Sequence, residues 1–192
     1  GGQKPGDVKY ADVNGDGMIN ENDLIVVDRY GSIPEIIYGF NLACGWKGFE
    51  LTALFQGAAH KSIMLEGYGT TMFLDGSSNY YSYLSDGSWS PENTGAKYPR
   101  AYVGGNSNNN RASSIWMKNG NYLRLKNIEL SYTFPKSILE KTKVINGLRL
   151  YINGTNLLTF DKLDIMDPEM TGGSAQYYPQ LKSVNFGLNF TY

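Results

Sequence analysis

The sequence predicts an all-β fold, in which antiparallel strands form the carboxy-terminal part of a large transmembrane β-barrel with long extracellular loops. Five segments alternate large apolar residues with small or polar ones, as expected of strands that lie between lipid and a hydrated lumen. The connections between these segments alternate between short and long, which is typical of outer-membrane barrels. Aromatic residues cluster at the strand ends, where the two surfaces of a bilayer would lie.

The five predicted strands are 35–46, 48–58, 121–134, 147–159 and 181–192. The last is the clearest. On one side it places Val184, Phe186, Leu188, Phe190 and Tyr192, and on the other Asn185, Gly187, Asn189 and Thr191. A β-sandwich with its apolar faces turned inward has the same alternation, so the strands alone do not choose between the two architectures.

The connections favour the barrel. Trp46–Gly48 is a tight turn, and 135–146 is of moderate length with one helical turn expected at Ser137–Lys143, whereas 59–120 and 160–180 are long. A carboxy-terminus in the periplasm places both long connections outside and both shorter ones inside. By parity along its strand, Arg124 and Lys126 are predicted to face lipid near the outer surface.

Five strands are too few to close a transmembrane barrel, since the smallest bacterial ones have about eight. We therefore expect the chain to be the tail of a larger barrel, or an open or oligomeric sheet when isolated. Residues 1–33 are predicted to be an extracellular loop, and 34–192 the barrel strands with their long loops. Gly1-Gly2 opens no signal peptide, which suggests a mature chain or a piece of a longer one.

Composition excludes several classes of function. The formal charge of −1 provides no basic surplus for nucleic acid. No run of about 18 apolar residues predicts a membrane-spanning helix. The single cysteine, Cys44, excludes an internal disulfide and reads as a small apolar residue on the lipid-facing side.

Residues 12–23 match the spacing of an EF-hand-type calcium loop. Asp12, Asn14 and Asp16 are expected to supply side-chain oxygens. Met18 would supply its carbonyl, Asn20 its side chain or a bound water, and Asp23 the twelfth-position carboxylate. Gly17 permits the sharp turn at position six. The alternative is an Asx-rich turn without metal. Because the flanks do not resemble EF-hand helices, a structural Ca²⁺ that rigidifies an extracellular loop is the expected role.

The long segment 59–120 is rich in Tyr, Ser, Gly and Asn, and is predicted to contact a glycan or peptide ligand by stacking and hydrogen bonding. For each aromatic residue the alternative is packing within the loop or on a partner. The candidate ligand residues are Tyr80, Tyr81, Trp89 and Tyr98.

No catalytic site is predicted. A Ser/His/Asp triad would need His60, the only histidine, but the sequence has no nucleophile elbow of the G-x-S-x-G kind. His60 is therefore expected to be unpaired at a strand–loop junction. Glu50 and Glu129 both face the predicted lumen, but isolated carboxylates are ordinary there, and Arg149 is an expected partner for either.

Segments along nearly the whole chain resemble the carboxy-terminal region of SusC/RagA-family TonB-dependent outer-membrane transporters of Bacteroidetes. The segments that carry the resemblance, in the same order and at similar spacing, are Gly6–Asn20 with Asp23 and Asp28, Ile33–Pro34, Tyr38–Phe40, Trp46–Gly57, Trp89–Asn93, Tyr98–Arg100, Ser114–Ile128, Leu148–Phe160, Asp167–Glu169, Tyr178–Gln180 and the terminal strand.

The resemblance implies an energised importer of glycans or peptides in the bacterial outer membrane. It also implies a SusD-like surface lipoprotein as partner and a TonB complex that acts through a plug outside this chain. Barrels of this kind have about 22 strands around a plugged lumen, of which these residues would supply the final quarter. The alternative interpretation is a stand-alone soluble β-domain, stabilised by calcium, that binds carbohydrate and buries its apolar faces in a sandwich or an oligomer.

Overall fold

A computed structural model describes residues 3–142, 144–163 and 165–192. These residues cluster into two compact units. The first unit, here called the loop unit, comprises 1–33, 61–119 and 169–177. The second, the sheet unit, comprises 34–60, 120–168 and 178–192.

The sheet unit is an antiparallel sheet in the strand order β1-β2-β5-β6-β7. In chain order, the strands of the described residues are β1 (Ile36–Trp46), β2 (Phe49–Ala59), β3 (Ser62–Met64), β4 (Met117–Asn119), β5 (Tyr122–Thr133), β6 (Gly147–Asp161) and β7 (Ser183–Thr191). The strands predicted from periodicity are confirmed, because each observed boundary lies within two residues of its prediction. In the described part of the chain, β1 and β7 each pair on one side only, so the sheet is open.

The two shorter connections lie at the same end of the sheet. Lys47 and Gly48 have φ angles of 47° and 90°, the left-handed conformations of a two-residue type I′ hairpin. The Thr133 N–H donates to the Gly48 carbonyl over 2.8 Å, which ties this hairpin to the end of β5. The β5–β6 connection contains α2 (Lys136–Leu139) and a 3₁₀ turn at Glu140–Thr142, where a helical turn was predicted. Both long connections therefore leave from the opposite end.

The apolar face of the sheet is uncovered. Direct cross-strand partners share a face, and Phe40 is opposite Phe55, while Ile152 is opposite both Leu130 and Phe186. Phe40 and Leu130 are each 45% exposed, and Phe186 is 81% exposed. Within the part of the chain that the structure describes, no second layer buries these side chains, so the sandwich form of the alternative interpretation is wrong for a single chain.

A β-bulge corrects the prediction for Arg124 and Lys126. Leu54 is opposite Asn127, whereas Phe55 is opposite Leu125, so β5 carries one extra residue between Leu125 and Asn127. Because one extra residue reverses the alternation, Leu125 joins the apolar face and Arg124 joins the polar face, opposite Thr159. The predicted lipid-facing parity of Arg124 is wrong for this reason, and at Lys126 the alternation on which its prediction rested is interrupted.

The loop unit has its own small core. β3 pairs with β4, and α1 (Ser82–Gly87) and 3₁₀ turns at Glu21–Asp23 and Gly67–Gly69 complete its regular structure. Trp116, Ile63 and Leu84 are buried, so the long segment 59–120 is a folded region rather than an irregular loop. Among the described residues, no helix has the length and apolar character needed to cross a membrane.

Candidate functional site

The predicted calcium loop is closed by its own polar side chains. The Asp12 carboxylate accepts hydrogen bonds from the Gly15 and Gly17 N–H groups over 2.7 and 2.8 Å. Both glycines have positive φ, which the turn requires. At the other end, Asp23 accepts from Val13 N–H over 2.8 Å, so the short twelfth-position side chain does reach back to the start of the loop.

The side-chain oxygens of Asn14 and Asp16, two further predicted ligands, are held by backbone N–H groups in the same way. The Asn14 side-chain oxygen accepts from Asp16 N–H over 2.9 Å, and Asp16 accepts from Met18 N–H over 2.8 Å. Asn20 and Asp23 form a capping box, in which Asp23 accepts from Asn20 N–H over 2.8 Å. These backbone donors, first that of Asn20, lower the pKa of Asp23 below the ordinary aspartate value.

The donor chemistry fits calcium, because every predicted ligand atom is an oxygen. The arrangement is nonetheless the Asx-turn network of the metal-free alternative, and within the described residues no group of three or more His, Cys, Asp or Glu side chains is placed to hold a metal ion. Calcium at this loop therefore stays a prediction.

The predicted ligand-contacting aromatics lie in different surroundings. Tyr98 is buried and stacks on Trp116, with 5.4 Å between ring centroids. The Tyr81 hydroxyl donates to the Ala175 carbonyl over 2.5 Å, and Tyr80 is exposed, with its ring edge-on to Phe73.

Trp89 lies close to the backbone of another segment. A Cβ atom on Gly6 would lie 2.4 Å from the Trp89 ring, so only glycine allows this approach. Trp89 and Tyr98 line one cavity of about 310 Å³ together with Lys97, and Tyr80 and Tyr81 are not among its lining residues. The structure thus brings together two of the four predicted residues.

Sequence reasoning missed the residue that organises this region, Asn109. Its side chain accepts from Val8 N–H over 2.9 Å and donates to Asp7 over 3.0 Å, while its carbonyl accepts from the Trp116 indole N–H over 2.7 Å. Asp7 also accepts from the Tyr102 hydroxyl over 2.8 Å. Burial alone would raise the pKa of Asp7, but these donors together with Lys4 N–H outweigh it and lower the pKa. The asparagine-rich stretch 106–110, in which only residue 107 is not asparagine, was the available signal.

The polar face of the sheet carries a connected set of side chains. Arg149 donates to Glu129 over 2.5 Å and to Ser131 over 3.0 Å, so Glu129, rather than Glu50, is its partner. Asn185 donates to the Asn153 side chain directly opposite it over 3.0 Å. These hydrogen bonds link polar side chains on neighbouring strands across this face of the sheet.

A buried ion pair joins β5 to the β6–β7 connection. Arg124 donates to Asp167 over 2.8 Å, with side-chain exposures of 3% and 7%, and its Nε donates to Thr159 over 2.9 Å. The other oxygen of Asp167 accepts from Gln180 N–H over 3.2 Å. Arg124 therefore holds the start of the long connection 162–182 to β5, and Asp167 links that start to Gln180 near the end of the connection. The parity prediction could not reveal this role.

One smaller prediction is wrong. His60 was expected to be unpaired, but its Nδ1 lies 3.1 Å from a carboxylate oxygen of Glu35. His60 has a φ of 56°, and the Glu35 N–H donates to its carbonyl over 3.4 Å. The contact closes the end of the β1–β2 hairpin that lies opposite its turn.

Comparison with known proteins identifies several relatives. No model of a known protein family matches the chain. It is 30% identical over 203 residues to TonB-dependent receptor P26 of Formosa agariphila, an alignment that covers 99% of this chain and 20% of that protein. It is 24% identical over 194 residues to TonB-dependent receptor SusC of Bacteroides thetaiotaomicron, covering 98% of this chain and 18% of that protein.

A solved structure agrees with these relatives. The structure of the RagAB peptide transporter superposes with a TM-score of 0.65 and 28% sequence identity, covering 83% of this chain and 18% of that one. The chain thus spans about a fifth of the length of the curated relatives it matches.

Proposed function

This chain is one region of a SusC/RagA-family TonB-dependent receptor, and from that premise we propose that it builds part of the barrel wall of an outer-membrane importer. Receptors of this family are transporters and not enzymes, in agreement with the prediction that the chain has no catalytic role. The proposed substrate class is a glycan or a peptide.

The uncovered apolar face carries this proposal. A soluble monomer rarely leaves a contiguous apolar surface of this extent in water, because the hydrophobic effect favours its burial. In a bilayer the same surface meets acyl chains at no such cost. The unpaired sides of β1 and β7 support the same conclusion, since the remaining strands of a larger barrel would satisfy their backbone groups.

The opposite face suits a hydrated passage. Its Arg149–Glu129 pair and its Asn153–Asn185 pair offer donors and acceptors to water and to polar solutes. The long connections leave from one end of the sheet, which in this proposal is the extracellular end. There the loop unit would contact the ligand and a SusD-like lipoprotein, with Tyr80, Tyr81, Trp89 and Tyr98 as ligand residues and Ca²⁺ bracing residues 12–23.

Energy for import would come from the TonB complex through a plug that lies outside this chain. The test is made on the full-length receptor in the cells that produce it. Deletion of the receptor gene, and separately of the TonB gene, is expected to abolish uptake of a labelled oligosaccharide or peptide that the wild-type strain imports. The class of compound whose uptake is lost identifies the substrate.

Fractionation supplies an independent readout. The receptor is expected in the outer-membrane fraction and to require detergent for extraction. Unchanged uptake in both deletion strains, together with a detergent-free monomer in the soluble fraction, would refute the proposal.

A further inference from the structure

A groove in the loop unit is not accounted for by the aromatic residues discussed above. Its volume is about 570 Å³, within the range of small-molecule sites. Two lining residues belong to the predicted calcium loop, and the others come from the segment that precedes this loop and from the region of Asn108 and Arg111. The lining residues that matter here are Lys9, Tyr10, Asp12, Ile19, Asn108 and Arg111.

The groove has an excess of positive charge. Lys9 and Arg111 contribute two cations and Asp12 one anion, which leaves a net charge of +1. Within the described residues, neither Lys9 nor Arg111 forms an ion pair. The Asp12 carboxylate is already engaged by the Gly15 and Gly17 N–H groups, so it competes weakly for these cations. A whole chain of charge −1 thus carries a local cationic site.

The walls of the groove are joined to each other before any ligand arrives. The Tyr10 hydroxyl donates to the Asn108 carbonyl over 2.6 Å, and the Asn108 side chain donates to the Val8 carbonyl over 2.9 Å. The guanidinium carbon of Arg111 lies 5.9 Å from the centre of the Tyr10 ring, which limits the positions that its N–H fork can take. Such preorganisation lowers the entropic cost of binding.

We propose that this groove binds a carboxylate group of the imported ligand, which would be a uronic-acid glycan or an acidic peptide. Arg111 would donate two parallel N–H groups to the carboxylate, and Lys9 would add a second positive charge. The Tyr10 ring and the Asn108 amide are placed for the neutral part of the ligand. This inference rests on the proposed import function and specifies its substrate class.

The experiment measures binding to the purified full-length receptor by calorimetry at low ionic strength. The probes are trigalacturonate and triglutamate, with maltotriose and triglutamine as neutral counterparts. At least one acidic probe is expected to bind more tightly than its neutral counterpart. Lys9→Gln and Arg111→Gln should each weaken that binding by about tenfold, as expected for loss of a charge-assisted hydrogen bond.

Lys182→Gln is the matched control, because it removes the same charge from an exposed position outside the loop unit. It should leave the affinity unchanged. Preference for trigalacturonate identifies a glycan ligand, and preference for triglutamate identifies a peptide. Equal binding of acidic and neutral probes, or equal affinities for wild type and both groove variants, would overturn the inference. If either of these results is found but the receptor still imports a neutral compound in a TonB-dependent way, the groove inference fails and the proposed function holds.

Discussion

The two units of this chain place their apolar side chains in opposite ways. The sheet unit has long regular strands, yet Phe40, Leu130 and Phe186 on its apolar face are exposed. The loop unit has little regular structure, yet it contains the four largest fully buried side chains of the described residues: Trp116, Ile63, Leu84 and Asn109.

The difference indicates where each unit finds its stability. The loop unit buries an ordinary core and connects its segments through polar contacts such as those of Asn109. The sheet unit satisfies its backbone groups in strand ladders and leaves its apolar face for something outside the chain. In our proposal, lipid covers the apolar face, and further strands of the full barrel pair with both edges of the sheet. A substitution confined to one unit should therefore leave the other unit unaffected.

The largest effect is expected in the core of the loop unit. Trp116→Ala removes a buried indole, its stacking on Tyr98 and its hydrogen bond to Asn109, and should cost about 3–5 kcal/mol. Hydrogen exchange on the full-length receptor should report a matching loss of protection across 61–119. Trp46→Ala is the control, since Trp46 is 69% exposed on the sheet. Comparable losses from the two substitutions would contradict the existence of a separate core.

The next effect tests the apolar face. Phe40→Arg places a charge toward lipid near the middle of β1 and should destabilise the membrane-inserted receptor by about 2–4 kcal/mol. Asn41→Arg places the same charge on the opposite face and should be tolerated. Folding of the full-length receptor into lipid vesicles, followed in urea, measures both. If Asn41→Arg proves the more damaging, the assignment of the two faces is reversed.

Calcium should stabilise the loop unit alone. At a Ca²⁺ concentration of about 100 times its dissociation constant, a site that exists only in the folded loop adds about 2.7 kcal/mol. Calorimetry should detect binding to the wild-type receptor that Asp12→Ala and Asp16→Ala each abolish. Asp86→Ala, an exposed aspartate of the same unit, should bind calcium like the wild type. No heat of binding in the wild type would leave the loop as a metal-free Asx network.

The smallest effect is the dependence of the loop unit on pH. The folded-state pKa of Asp7 lies below the ordinary value of 3.8. Its ionised form therefore contributes stability that is fully present above that ordinary value and is lost as the pH falls through the lowered pKa. Amide protection around 7–10 and 106–110 should weaken as the pH falls below 3.8, more than protection in β1 and β2. In Asp7→Asn this acid-dependent step should disappear.

Much of the sheet was predictable because its signal is local. The alternation from Val184 to Tyr192 places each side chain on a face whatever the partner strand is, since neighbouring residues of a strand point in opposite directions. The tight turn predicted at Trp46–Gly48 was also readable, because Gly48 accepts the positive φ that such a turn requires. A calcium loop at residues 12–23 was predicted from spacing and stays a prediction, and the structure adds how the carboxylates of Asp12 and Asp23 close this segment.

The failures share a different cause. Arg124 was assigned to the wrong face because the bulge between Leu125 and Asn127 depends on how β5 aligns with β2 and β6. Its partner Asp167 is 43 residues away, and no local pattern indicates that contact. The role of Asn109 was missed for the same reason, since its contacts with Asp7 and Val8 cross about 100 residues.

The amino-acid sequence by itself determined the strands, their two faces and the positions of the turns, because these follow from the periodicity of neighbouring residues and from backbone conformational preference. Only the tertiary structure decided which charges are buried, where the alternation reverses and which aromatics are available to a ligand. Those properties depend on contacts between segments distant in the chain, whose free energy is gained only when the segments meet.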